Sequence, residues 1–202
     1  MRNTIRRAQH LLKKIAVKMS GYDQRNWLRV KQIDAFNNFL DLYPAAEVLE
    51  ISPGWNNIWK NKILNYTSVD YPEFDICTDS LAREFDIVIA DQVLEHVQKP
   101  VDAVRHMFAM VRPGGYIVVA TPFLFRVHAR PHDYYRWTEA GLMQLLRDGG
   151  FQEKHVQTFS WGNKSCARAH IGGPVRDYGW YRPMKNDPEY PLMVWAFAQK
   201  AL

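Results

Sequence analysis

Cysteine is nearly absent from this chain: there are two among 202 residues, Cys77 and Cys166. That is too few for a disulfide framework and points to a reducing compartment. Long hydrophobic runs are missing as well. The longest uncharged apolar stretch, Tyr116 to Phe125, is interrupted by Pro122 and is about half of what a membrane-spanning helix needs. The N-terminus has scattered charges and no long apolar core, so it does not read as a secretory signal, and the expected location is the cytoplasm. Acids are absent from residues 1–20, which hold Arg2, Arg6, Arg7, Lys13, Lys14 and Lys18. The net charge of +5 therefore belongs to this segment, and the rest of the chain is close to neutral. A basic total of this kind gives no argument for a nucleic-acid partner.

What is present is one globular domain's worth of core, with 47% hydrophobic and 23% charged residues. Ile5, Ala8, Leu11, Leu12, Ile15 and Met19 recur at helical spacing, and a second amphipathic stretch runs from about Asp23 to Leu42 before Pro44. From residue 46 the texture changes to short apolar runs. Ala46–Ile51, Asn65–Asp70, Phe85–Ala90 and Tyr116–Thr121 read as strands, and Phe151–Phe159 and Leu192–Gln199 supply two more. A helix face is marked by Val101, Val104, Phe108 and Val111, closed by Pro113-Gly114-Gly115. Thr138 caps another helix that Gly149-Gly150 ends.

Near-continuous apolar strands alternating with helices predict an α/β fold: a Rossmann-like, doubly wound, mostly parallel sheet with helices on both faces, preceded by N-terminal helices. The expected organisation is one domain. Residues 1–43 form the helices, 44–159 a ligand-binding core, 160–191 a loop-rich insertion and 192–202 the final strand. Ligands in such sheets sit at the carboxyl ends of the strands. Glu50, Asp70 and Asp91 all fall there. Asp70 follows Glu50 by 20 residues, the separation at which a second strand's acid meets a ribose diol.

Residues 85–121 read FDIVIADQVLEHVQKPVDAVRHMFAMVRPGGYIVVAT. In content and spacing this block resembles the class I S-adenosylmethionine-dependent methyltransferases of the small-molecule and quinone-type group. With the first turn and Asp70, the resemblance spans about residues 46–158. The run His132-Asp133-Tyr134-Tyr135-Arg136-Trp137-Thr138 resembles an uncharacterised bacterial branch of those enzymes. The resemblance implies a seven-stranded sheet and S-adenosylmethionine as cofactor. It places Glu50, Ile51, Ser52, Pro53 and Gly54 at the methionine end, with Asp70 on the ribose and Tyr71 on the adenine face. Asp75 and Ile76, with Cys77 beside them, fall where the family's third strand ends at the adenine edge, and Asp91, Gln92 and His96 follow the family's fourth strand, here Phe85–Ala90. One departure is plain: the family's first turn carries two or three glycines, and here only Gly54 is present.

Methyl transfer to a hydroxyl benefits from a general base, and histidine suits that work. His128 and His132 are the candidates past the fifth strand. Tyr134, Tyr135, Arg136 and Trp161 are the candidate acceptor contacts, joined by Asn163, Tyr178, Trp180 and Tyr181 as an aromatic wall. The expected reaction is methylation, at oxygen, of a small-molecule, glycan or lipid-linked acceptor. The basic N-terminal helix has two open readings, a lid over the pocket or a peripheral contact with an anionic membrane. No metal is expected. A set of His128, His132, Asp133 and Cys166 is opposed by Pro131, which forbids a regular helical His pair, and by the isolation of Cys166. The missing G-x-G-x-x-G turn opposes a nicotinamide dehydrogenase, and no G-x-S-x-G elbow or P-loop supports a hydrolase or kinase. The non-catalytic alternative is a methyltransferase fold that binds cofactor or a macromolecule without turnover. Oligomeric state is left open.

Overall fold

The computed structural model describes residues 26–54, 58–172 and 182–202. The basic segment 1–20, with its expected helix and membrane contact, lies outside the described residues, as do Tyr178, Trp180 and Tyr181.

Six strands form one sheet in the order β2-β1-β3-β4-β6-β5. They are β1 (Glu47–Ile51), β2 (Asn65–Val69), β3 (Phe85–Asp91), β4 (Val111–Pro122), β5 (Val156–Trp161) and β6 (Met193–Gln199). The β1/β2, β1/β3 and β3/β4 pairs are parallel, and β6 runs antiparallel to both β4 and β5. Five strands therefore share one direction and β6 alone is reversed. The sheet is mixed, and among the described residues it has six strands rather than the expected seven.

The missing strand has a local cause. The segment after β2 is folded into turns: the Asp75 carboxylate accepts from Cys77 N at 2.9 Å, and Asp75 O accepts from Asp79 N at 2.7 Å. Side-chain-to-backbone bonds of this kind compete with a ladder.

The strands alternate their burial between two clusters. Leu49, Ile51, Val88, Ala90, Ile117 and Val119 face one side, where α2 (Pro100–Met110) buries Ala103, Val104, Met107 and Met110, and α3 (Glu139–Asp148) buries Leu142, Leu145 and Leu146. Val48, Ile87, Ile89, Val118 and Ala120 face the other side. There they meet Leu28, Phe36 and Leu40 of α1 (Val30–Asp41) and its preceding 3₁₀ turn (Trp27–Arg29), and Cys166 of α4 (Lys164–His170). Both faces are covered, which is why the central strands β3 and β4 carry near-continuous apolar runs, whereas the edge strands β2 and β5 are polar and partly exposed. Each large side chain so buried contributes about 1.5–3 kcal/mol.

Local signals start the helices where the sequence places them. Pro100 opens α2, Thr138 Oγ1 accepts from Gly141 N at 3.1 Å, and Asn163 Oδ1 accepts from Cys166 N at 2.8 Å. One boundary differs. Pro113-Gly114-Gly115 does not separate helix from strand but lies inside β4, where the register to β3 shifts between Phe85 and Ile87. Gly114 carries the positive φ of 79° that this irregularity requires. The fifth predicted strand begins five residues late, because Glu153–His155 make a 3₁₀ turn first.

Candidate active site

The chain leaves β1 for β2 on one side and for β3 on the other, so the carboxyl ends of β1 and β3 form the switch point of the sheet. Three acids cluster at that edge: Glu50 in the last turn of β1, Asp70 just past β2, and Asp91 at the end of β3. The backbone there is unusual. Ser52 and Gln92 adopt left-handed φ values of 47° and 64°, and they are the two non-glycine residues described with positive φ. Ser52 takes in the first turn the conformation that glycine supplies at low cost. Its N–H is tied to Val69 O at 2.8 Å, and Gln92 N to Ala120 O at 2.9 Å. Beyond the turn, a Cβ on Gly54 would meet nothing within 4 Å among the described residues. The glycine-poor turn is therefore tight.

Each acid is compensated differently. Asp70 is exposed and its Oδ1 accepts from Tyr71 N at 2.9 Å. Glu50 is buried, accepts from the Tyr66 hydroxyl at 2.5 Å, and burial pushes its carboxyl up to about 7. Asp91 pairs with the Arg29 guanidinium, and its other oxygen, Oδ1, is buried without a hydrogen-bond partner. The amide nitrogen of Gln92 is likewise buried and unpartnered. Exposed carboxylate, strained turn and orphaned polar atoms stand at the carboxyl ends of adjacent strands, and they fit a cofactor that carries hydroxyls and positive charge.

The adenine-side residues are partly redirected. Tyr71 is exposed. Asp75 spends its carboxylate on its own turn; Ile76 is buried in the core, and its carbonyl accepts from His106 Nδ1 at 2.7 Å.

The acceptor loop behaves differently from its prediction at several points. Arg136 does not present a free anion clamp, because it forks onto Asp133 and also donates to Tyr135 O and Arg126 O. That guanidinium holds the Asp133 carboxyl down to about 2. Trp161 is 3% exposed, packed in the second core cluster with its Nε1 on Met184 O at 3.5 Å, so it is core rather than pocket wall. Asn163 caps α4 and donates to Pro183 O and Lys185 O. Tyr134 and Tyr135 are exposed, one joined to Gln98 Nε2 and the other to Gln98 O.

The two candidate bases separate. His132 is exposed and contributes its carbonyl, which accepts from His96 Nδ1 at 2.6 Å. His128 turns inward and packs edge-on against His96, ring centroids 4.9 Å apart. Its Nδ1 lies 3.3 Å from Asp133 Oδ2, and its Nε2 3.7 Å from Glu95 Oε1. Burial, with the nearby His96, lowers its pKa.

Two residues of this site escaped sequence reasoning. Glu95, in the 3₁₀ turn after β3, is fully buried with neither carboxylate oxygen hydrogen-bonded, and burial pushes it up to about 8. The adjacent Glu-His pair was its signal, but an acid just past a strand end reads as solvated. Arg29 reaches Asp91 from 62 positions away, and nothing in the sequence marks that contact. A concavity of about 510 Å³ at the amino ends of the strands, lined in part by Asp86 and Arg112, lies at the opposite edge. Arg112 there is spent on Asp86 and Glu47.

A family model described as a methyltransferase domain matches residues 6–161. No curated protein matches the chain in sequence. Solved structures resemble it in fold. An S-adenosylmethionine-dependent methyltransferase from Archaeoglobus fulgidus aligns at TM-score 0.56 and 13% identity, over 83% of this chain and 92% of that one. One from Mesorhizobium loti aligns at 0.54 and 12%, over 82% and 96%. One from Thermotoga maritima, described as a possible histamine N-methyltransferase, aligns at 0.54 and 13%, over 86% and 99%. At such identities the likeness carries the fold alone, and the family follows from the match over most of the chain. The chain belongs to the methyltransferase-domain family and is a class I S-adenosylmethionine-dependent methyltransferase.

Proposed function

We propose that this enzyme methylates an oxygen of a small-molecule acceptor, holding S-adenosylmethionine across the carboxyl ends of β1, β2 and β3. The observation that carries this reading is the set of three differently compensated acids, Glu50, Asp70 and Asp91, on adjacent strand ends at the switch point. Asp70 receives the ribose hydroxyls, with Tyr71 beside the adenine. Glu50 and the Ile51-Ser52-Pro53-Gly54 turn lie along the methionine end, and Asp91 and Gln92 close the crevice from β3. Asp75 and Ile76 contribute position rather than side-chain contacts.

The cofactor, when bound, supplies a methyl group already activated on a sulfonium. The chain's task is then to align the acceptor and exclude water. S-adenosylmethionine held there would supply its methyl carbon to an acceptor oxygen, with the carbon–sulfur electron pair staying on sulfur and the hydroxyl proton passing to water. The acceptor end is built around Glu95, His96 and His128, with Tyr134 and Tyr135 exposed at its rim. That the acceptor is glycan- or lipid-linked is supported only by the six bases of residues 1–20, so a small hydroxylated molecule is the reading preferred.

Calorimetric titration of S-adenosylmethionine and its demethylated product into wild type and Asp70→Ala tests the cofactor half. Micromolar binding, weakened at least tenfold in the variant, is expected. Absence of both heat and thermal stabilisation with either ligand would overturn the proposal.

A further inference from the structure

Four acids meet at the acceptor end or beside it, and three have their charge answered. Asp91 has Arg29, Asp133 has Arg136, and Glu50 has the Tyr66 hydroxyl. Glu95 is answered least: it is 0% exposed, neither oxygen has a hydrogen-bond partner among the described residues, and besides two imidazoles at 3.7 Å only the Arg136 guanidinium acts on it, without contact. A buried carboxylate without a donor costs several kcal/mol, so a site that keeps one is arranged for a cation.

The two histidines are oriented accordingly. The carbonyl of His132 can only accept, so His96 Nδ1 holds the proton and its Nε2 keeps the lone pair. His128 Nδ1 stands 3.3 Å from the Asp133 carboxylate without a hydrogen bond among the described residues, and its Nε2 is the nitrogen turned toward Glu95. Both Nε2 atoms stand 3.7 Å from the same oxygen, Glu95 Oε1. That is too long for a hydrogen bond. It is near the separation of about 3.4 Å between two ligand atoms that each sit about 2.1 Å from one tetrahedral ion. The three ligand atoms all lie within 4.8 Å of one another.

We propose that Glu95, His96 and His128 bind one divalent transition-metal ion through a carboxylate oxygen and two Nε2 atoms, with an open position for an acceptor hydroxyl. Two imidazoles and one carboxylate suit zinc, cobalt or iron(II) and not magnesium, which prefers oxygen donors. His132 O fixes the tautomer of the His96 ring, and the Asp133 carboxylate stands behind the His128 ring, 3.3 Å from its Nδ1. The ion's binding stands independently of the methyl-transfer reading; its role rests on it. On that reading, the ion would coordinate the acceptor hydroxyl, whose proton passes to water, and the oxygen would bond to the methyl carbon as the carbon–sulfur bond breaks and its electron pair stays on sulfur, the ion remaining bound. Metal-bound water ionises at about pH 7, and a bound hydroxyl gains in the same way. His128 then serves as ligand rather than base.

The full chain, stripped with a chelator, is titrated with Co²⁺ and read by its visible absorption, without S-adenosylmethionine. One Co²⁺ per chain is expected, displaced by one Zn²⁺, with Glu95→Gln and His128→Asn each weakening it at least tenfold. Should those variants misfold, nitrogen NMR on the wild type decides: Zn²⁺ should shift Nε2 of two of the seven histidines. Several weak equivalents, no uptake, or uptake unchanged in both variants would overturn the site. Cobalt uptake without cofactor binding would sink the methyl-transfer reading and keep the ion; cofactor binding without cobalt uptake would do the reverse.

Discussion

Glu50 is a buried carboxyl that the folded protein prefers to keep protonated, and replacing it should trade function for stability. Its side chain sits at the end of β1, 3% exposed, with burial raising the pKa from 4.5 to about 7. The unfolded chain releases this proton from about pH 4.5 upward, while the native state holds it until about 7. Native stability is therefore fully present below 4.5 and is lost progressively as pH rises through 7. At 1.36 kcal/mol per pKa unit, the loss is about 3 kcal/mol on the alkaline side. Glu50→Gln removes the ionisation while its amide oxygen still accepts from the Tyr66 hydroxyl.

Urea unfolding should find the variant more stable by up to about 3 kcal/mol at pH 8 and equal to wild type near pH 4.5. For a chain of this size that corresponds to a rise of roughly 6–12 °C in Tm at the higher pH. Affinity for S-adenosylmethionine should move oppositely, tighter in wild type at pH 8 than at pH 6 and weakened about tenfold in the variant, since the ionised carboxylate faces a cationic ligand. A stability gap that does not change between the two pH values would refute the reasoning, as would a variant less stable than wild type at pH 8.

Two further substitutions probe the frame around the site. Arg29→Met leaves the 5%-exposed Asp91 carboxylate without its partner, and should cost about 3–5 kcal/mol in urea unfolding; a loss below about 1 kcal/mol would mean that water already satisfies Asp91. Gly162→Ala would put a Cβ 2.1 Å from Tyr190 O and 2.5 Å from Leu192 N, so the chain must shift, at a cost of about 1–3 kcal/mol or more. Gly54→Ala, with no atom within 4 Å of its Cβ, is the matched control and should stay within about 0.5 kcal/mol of wild type. Thermal melts of the pair decide it, and equal melts would show that the 160s loop has room that the packing denies.

The sequence made the strand-end acids legible because their neighbours are unambiguous. An apolar run of four residues stopped by an acid has few other places to go in a sheet covered on both faces, and β3 ends this way at Asp91, while in β1 Glu50 stands one residue before the strand's end. Capping chemistry was equally readable: Thr138 acts within three residues of itself. What could not be read depends on distance along the chain. Arg29 and Asp91 meet across 62 positions, and Trp161 is core because Leu192 and Trp27 pack with it from far away. The absent strand near Asp75 failed for the converse reason. Its backbone is captured by an acid two residues distant before any ladder can form, and no apolar periodicity records that competition.

The division of charge at the acceptor end bears directly on what chemistry it can run. A divalent ion held by Glu95 and two neutral imidazoles keeps a formal net charge of +1, and that residual charge is what drives ionisation of a bound hydroxyl. Asp91 and Asp133 would cancel it if they stood as free carboxylates beside the ion. Neither does, because Arg29 answers the first and Arg136 the second. The two arginines thus do more than hold a loop and a strand end together. They silence the flanking acids, so that Glu95 is the carboxylate left without a hydrogen-bond partner among the described residues, and so that a cation bound there would keep enough charge to activate an oxygen. Glu50 has a hydroxyl partner and no direct ion pair to an arginine, and on the proposed reading its ionisation would change when a cationic cofactor arrives. On that reading, the unequal compensation of the acids separates a cofactor end from an acceptor end along one edge of the sheet.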